Sequence, residues 1–147
     1  MQSVRIIELP PCTMAASAYG MFGDGKLEAF DAWFSAFDRG PFPKDYLSYD
    51  PKREAFRWYY LCEANTEVPE PFSLVDFPGG LYAVCTAIDG EDGGQAMEAI
   101  ASFIEGSPHL VRDESRAALG NVITSPLGER ALGYRQMDHY IPVKASE

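Results

Sequence analysis

The sequence predicts an α+β domain of two pseudo-symmetric strand-strand-helix-strand-strand halves, forming antiparallel sheet with two helices on one side. Three observations lead there. A proline-terminated apolar segment occurs twice, each copy is followed by a Gly/Asp turn and a one-faced helical pattern, and each helix is followed by two more strand candidates. The chain has 147 residues, 46% of them hydrophobic, which suits one domain with a core of its own. It is read as a single domain over residues 1–147, with halves at about 1–66 and 72–147.

Val4 to Leu9 is the first strand candidate, ended by Pro10-Pro11, and Thr13 to Tyr19 is the second; Phe72 to Phe77, ended by Pro78-Gly79-Gly80, and Leu81 to Ile88 repeat them. Ile6-Ile7-Glu8-Leu9-Pro10 aligns with Leu74-Val75-Asp76-Phe77-Pro78, and Ala15-Ala16 then falls on Ala83-Val84 without a gap. Residues 6–19 and 74–87 are therefore expected to fold as equivalent hairpins.

After Gly23-Asp24-Gly25, Leu27, Phe30, Phe34 and Phe37 recur at helical steps with Trp33 beside them; after Gly90 to Gly94, Met97, Ile100, Phe103 and Ile104 do the same. Gly40 and Gly106 stand as helix stops, with Pro41 and Pro108 close behind. Tyr46 to Asp50 and Phe56 to Glu63 close the first half. Ala117 to Thr124 and Tyr134 to Val143 close the second, separated by the turn-rich Ser125 to Gly128.

Composition narrows the function classes. A net charge of -10 with singly scattered Lys and Arg opposes direct nucleic-acid binding. No apolar run approaches the ~20 residues of a membrane helix, and no signal pattern follows Met1, so a cytoplasmic location is expected. Cys12, Cys62 and Cys85 are read as small buried apolar residues, with neither disulfide nor zinc site. His109 and His139 lack triad-like company, and no GxSxG, GxxxxGK or GxGxxG motif occurs.

Val4 to Pro11, Phe72 to Val84 and Met137 to Lys144 together resemble the GyrI-like family, the effector-binding domain of AraC-type and MerR-type multidrug-sensing regulators. The most specific parts are Phe-Pro-Gly-Gly-Leu-Tyr-Ala-Val from Phe77 and Asp-x-Tyr-Ile-Pro-Val-Lys from Asp138. The resemblance implies two halves about a pseudo-twofold axis, with a groove between the helices that takes apolar, often cationic, compounds. It places an acid at Asp138 in the closing strand, with Tyr59 at the matching position of the first half. In the subgroup most resembled, glutamates stand at Tyr59 and near Gly120; here both are missing, which weakens hydrolysis of strained rings more than it weakens binding.

The candidate ligand-binding residues follow from these positions. Trp58, Tyr59 and Tyr60 form the densest aromatic stretch, and alternation sends Trp58 and Tyr60 to one face and Tyr59 to the other. Trp33 joins them from the first helix, and Tyr82, Tyr134 and Tyr140 from the second half. Asp138 sits in an otherwise apolar strand end, where an acid faces water or needs a partner. No catalytic residue, metal ligand or cofactor is expected.

The expected function is binding of a small hydrophobic or cationic molecule, as a sensor or sequestering protein. The alternative is a hydrolase of cyclopropane-type or other electrophilic compounds. No helix-turn-helix precedes residue 4, so a regulatory role is expected to run through a partner or a longer chain; a homodimer is left open.

Overall fold

The computed structural model describes residues 3–37 and 42–147. Gly40 and Pro41, expected to stop the first helix, lie outside the described residues. The described residues form nine strands and three helices, and the strands pair antiparallel. The fold is α+β, as the repeated pattern indicates.

The chain divides into two compact units that do not follow its two sequence halves. One is contiguous, Pro10–Gly79; the other is split, joining the segment that ends at Leu9 to Gly80–Glu147.

The contiguous unit contains β2 (Cys12–Ala16), α1 (Lys26–Phe34), β3 (Asp45–Asp50), β4 (Ala55–Leu61) and β5 (Ser73–Phe77), with its strands in the order β3-β4-β2-β5. The split unit contains β1 (Arg5–Leu9), β6 (Gly80–Ile88), α2 (Gly93–Glu105), β7 (Leu110–Arg112), β8 (Leu119–Val122), α3 (Pro126–Leu132) and β9 (Gln136–Ala145). Here β6 lies between β1 and β9, while β7 and β8 both pair with β9.

The expected hairpins are not formed. β1 pairs with β6 and β5 pairs with β2, so each unit takes the first strand of the other half of the chain. The connectors explain the exchange. Two-residue hairpin turns need positive φ, which Pro10-Pro11 cannot supply because each ring fixes φ near −65°. Pro78-Gly79 suits a type II turn, whose twist splays flanking strands instead of pairing them.

The exchange is the same in both units. Ile6 lies opposite Ala83 and Leu74 opposite Ala15, and the other partners of the two ladders correspond in the same way. Extending the comparison, Ala83 faces Ile141 where Ala15 faces Tyr60. Tyr59 therefore corresponds to Tyr140. The counterpart of Asp138 is Arg57, not Tyr59, which corrects the match implied by the resemblance.

The helices differ in how they reach the sheet. α2 lies close because Ala83, Cys85 and Ala87 offer a small-residue surface to Ala96 and Ile100. α1 packs through rings, with Phe30 buried against Ala15 and Tyr60, flanked by Trp33, Phe34 and Phe72. Its start is built from the turn before it: Gly25 is left-handed (φ 91°), and Glu28 accepts hydrogen bonds from the Gly23 and Gly25 N–H groups at 2.8 and 3.0 Å. Phe37 lies beyond the helix, which ends at Phe34.

Two elements were not expected. β7 is one. The other is α3, where turn-rich loop was expected: Ser125 accepts from the Gly128 N–H at 3.0 Å, Pro126 opens the first turn and Gly133 follows the last. Gly106 does stand directly after α2.

Candidate functional site

On α2, Met97, Ile100, Ala101, Ile104 and Glu105 fall at steps of three and four residues and so share one stripe. Ile100 is buried, whereas Met97, Ala101 and Glu105 are exposed. This stripe meets Ile141 of β9 and Arg112 at the end of β7, and together they enclose a cleft of about 230 Å³. Its floor is apolar, from Ile100 and Ile141, and its rim carries one carboxylate and one guanidinium. Arg112 is drawn toward Glu114 at 3.6 Å, which leaves Glu105 as the less encumbered charge.

The corresponding place in the contiguous unit is occupied. Tyr60, the counterpart of Ile141, is nearly parallel to Phe34 (5.2 Å, 20°) and to Phe37 (5.7 Å, 18°), with Trp33 edge-on at 6.2 Å. Trp58 adds an edge contact to Phe34 and donates its indole N–H to Asp45 at 3.1 Å. Where the contiguous unit stacks rings, the split unit has an isoleucine and open volume.

The eight residues singled out from sequence therefore fall into separate places. Trp33, Trp58 and Tyr60 pack together under α1. Tyr59 occupies the other face of β4, beside Arg57, and burial pushes its phenol pKa up. In the split unit, Cys85 and Ala87 face α2, so Thr86 and its partner Asp138 face away, as do Tyr82 and Tyr140. The Tyr82 and Tyr140 rings meet edge-on at 6.1 Å, and the Arg116 guanidinium covers Tyr82 at 4.8 Å. Tyr134 is exposed, between α3 and β9. None of the eight lines the α2 cleft.

Asp138 has partners of its own. The Thr86 hydroxyl donates to one carboxylate oxygen at 2.5 Å, and Arg5 donates to the other at 3.3 Å. Across the ladder stands Asn121, whose buried Oδ1 has no hydrogen-bond partner among the described residues. On the α2 side His139 lies against Gly93, and burial pushes its imidazole pKa down against the opposing pull of Asp138, Asp89 and Asp92.

Of the cysteines only Cys85 is buried; Cys12 and Cys62 are partly exposed, and burial raises the pKa of all three thiols. Among the described residues, no group of three or more His, Cys, Asp or Glu side chains is placed to hold a metal ion. No helix among them is long and apolar enough to cross a membrane.

No family model matches the chain, and no curated protein matches it. Solved structures do. The fold is similar to that of the EcmrR C-terminal domain. The TM-score is 0.71 at 8% identity, over 99% of both chains. The EcmrR chain seen in a DNA complex is longer, and this chain spans 58% of it. SAV2435 bound to tetraphenylphosphonium matches with a TM-score of 0.59 and 12% identity, over 97% of this chain and 94% of that one. A hydrolase from Listeria innocua matches with a TM-score of 0.66 and 12% identity, over 96% and 91%. At such identities the likeness is one of fold.

Met97, Ile100 and Ile104 were legible in the sequence as an apolar helical face, without Ile141 and Arg112, which complete the cleft. The missing signal was at Ile141: the cleft exists where the repeat replaces the ring of Tyr60 by an aliphatic chain.

Proposed function

We propose that the chain is a GyrI-like binding module that takes a small apolar organic cation in the α2 cleft, as a sensor or sequestering protein. The cleft carries this reading: an apolar floor with a carboxylate on the rim suits a hydrophobic cation. Its volume of about 230 Å³ is below the ~300–1,000 Å³ usual for ligand sites. The ligand is thus small, or lies partly outside. That SAV2435 is bound to tetraphenylphosphonium supports the compound class. Glu105 and Asp138 belong to opposite faces of the split unit's sheet, an arrangement that favours holding a ligand over acid–base hydrolysis of one.

The test is a thermal-shift titration with tetraphenylphosphonium and with the smaller phenyltrimethylammonium, against its neutral isostere tert-butylbenzene. At one hundred times the dissociation constant, a ligand that binds only the folded state adds ~2.7 kcal/mol. For a chain of this size that raises Tm by about 5–11 °C. Ile141→Tyr, which restores a ring at that position, should fill the cleft and abolish the shift while the protein stays folded. Glu105→Gln should weaken cations by up to about fivefold, the scale of an exposed charge contact, and leave the isostere unchanged. A shift that survives Ile141→Tyr would place the ligand elsewhere.

A further inference from the structure

Although the chain is strongly acidic, two arginines of the contiguous unit converge on one ring. Arg53 lies 4.3 Å from the centre of Tyr19 and Arg57 lies 4.8 Å from it, with Tyr59 also within 5.7 Å of Arg57. Two guanidinium groups held against one ring concentrate positive charge that an anion offsets. Asp50 is the acid of the cluster, and it is already engaged: it accepts from Arg53 at 2.6 Å and from the Lys52 and Arg53 N–H groups. Arg57 has no carboxylate partner among the described residues.

The geometry of Arg57 gives this surplus charge a direction. Its Nε donates to the Ser17 carbonyl at 3.0 Å, which anchors the guanidinium plane by its inner edge. A terminal nitrogen also hydrogen-bonds the Tyr59 hydroxyl, and the remaining terminal N–H groups are of the kind that match carboxylate and phosphate oxygens. Burial raises the pKa of Tyr59, so its hydroxyl keeps its proton and can donate to an anion.

We infer that Arg57, Arg53 and Tyr59, arranged around the Tyr19 ring, form a binding site for a small oxyanion, carboxylate or phosphate. The site is built from residues of the contiguous unit alone, and the inference does not rest on what the α2 cleft binds.

The experiment is a calorimetric titration of the whole chain at constant ionic strength with inorganic phosphate and, separately, with benzoate. Saturable one-to-one binding of either probe is expected. Binding of benzoate alone would identify the ligand as a carboxylate with an aromatic body that uses the tyrosine rings; binding of phosphate alone would identify a phosphate. Arg57→Gln should weaken binding about tenfold or more, the scale of a charge-assisted hydrogen bond. Arg53→Gln should weaken it less, and this exposed position carries the test if Arg57→Gln does not fold. Arg135→Gln, which removes a surface charge paired with Asp89 in the split unit, should change nothing. Failure of both probes to saturate, or equal weakening by Arg135→Gln, would overturn the site.

Discussion

The sequence marks Asp138 as a counter-ion for the ligand, and its bonds to Thr86 and Arg5 also give it a structural role that mutation can read. Its side chain is only 10% exposed, while that of Arg5 is 53% exposed. The ion pair with Arg5 is thus a surface pair, contributing about 0.2–1 kcal/mol. The bond from Thr86 is sheltered and charge-assisted, worth about 1.5–3 kcal/mol. Asp138→Ala removes both and should destabilise the chain by about 2–4 kcal/mol, lowering Tm by about 4–16 °C. Asp138→Asn should cost under about 1 kcal/mol, because it keeps an acceptor for Thr86 and adds a donor opposite the Asn121 Oδ1. Urea unfolding with linear extrapolation measures both differences, and a parallel tetraphenylphosphonium titration should give one dissociation constant for all three proteins. If Asp138→Asn weakened the cation about tenfold while leaving stability intact, Asp138 would be the ligand's partner and the argument for the α2 cleft would fail.

Gly80 (φ 122°) holds a backbone conformation that strains any residue with a side chain, and an added Cβ would also push the Arg116 guanidinium aside; Gly80→Ala should cost about 1–3 kcal/mol, read as a lower urea midpoint. Asp24 and Glu28 are held below their usual pKa range, chiefly by hydrogen bonds from the Met21 and Gly23 N–H groups respectively. A carboxylate with a depressed folded-state pKa contributes stability that is present above its unfolded pKa and lost as pH falls through the folded one. Glu28→Gln should therefore flatten the acid limb of a stability–pH curve below about pH 4.5. His139 binds its proton less readily folded than unfolded, so its contribution falls as pH drops from about 6.5; His139→Gln should reduce the slope of urea midpoint against pH between about 7 and 5.

The repeat, the strand positions and the two main helices were legible because each leaves a local mark: proline after an apolar run, a period of two or of three to four, a glycine stop. Which strand each first strand pairs with was not legible. Ile6 could face Ala15 or Ala83, and the alignment that reveals the repeat sets these two alanines in equivalent positions, so no local feature separates them. α3 had its Ser125-Pro126 start and Gly133 end in view, but with none of its residues buried it has no apolar face to announce it. For the site, aromatic density pointed to the contiguous unit, where the rings satisfy one another. The cleft lies where a ring is lacking, at Ile141, and an isoleucine in an apolar strand attracts no notice. The same bias hid Arg57, because its significance comes from Tyr19 and Arg53, which reach it through the fold.

The strand exchange also sets an order for assembly on the ribosome. Every partner in the β3–β4, β4–β2 and β2–β5 ladders lies between Pro10 and Gly79, so those three ladders can close once Gly79 has emerged. β1 is made first but finishes late, because the residues opposite it run from Gly80 to Val84. Until they arrive it is a bare β-edge, and it carries Arg5 and Glu8 along that edge, charges of the kind that discourage pairing with a stray strand.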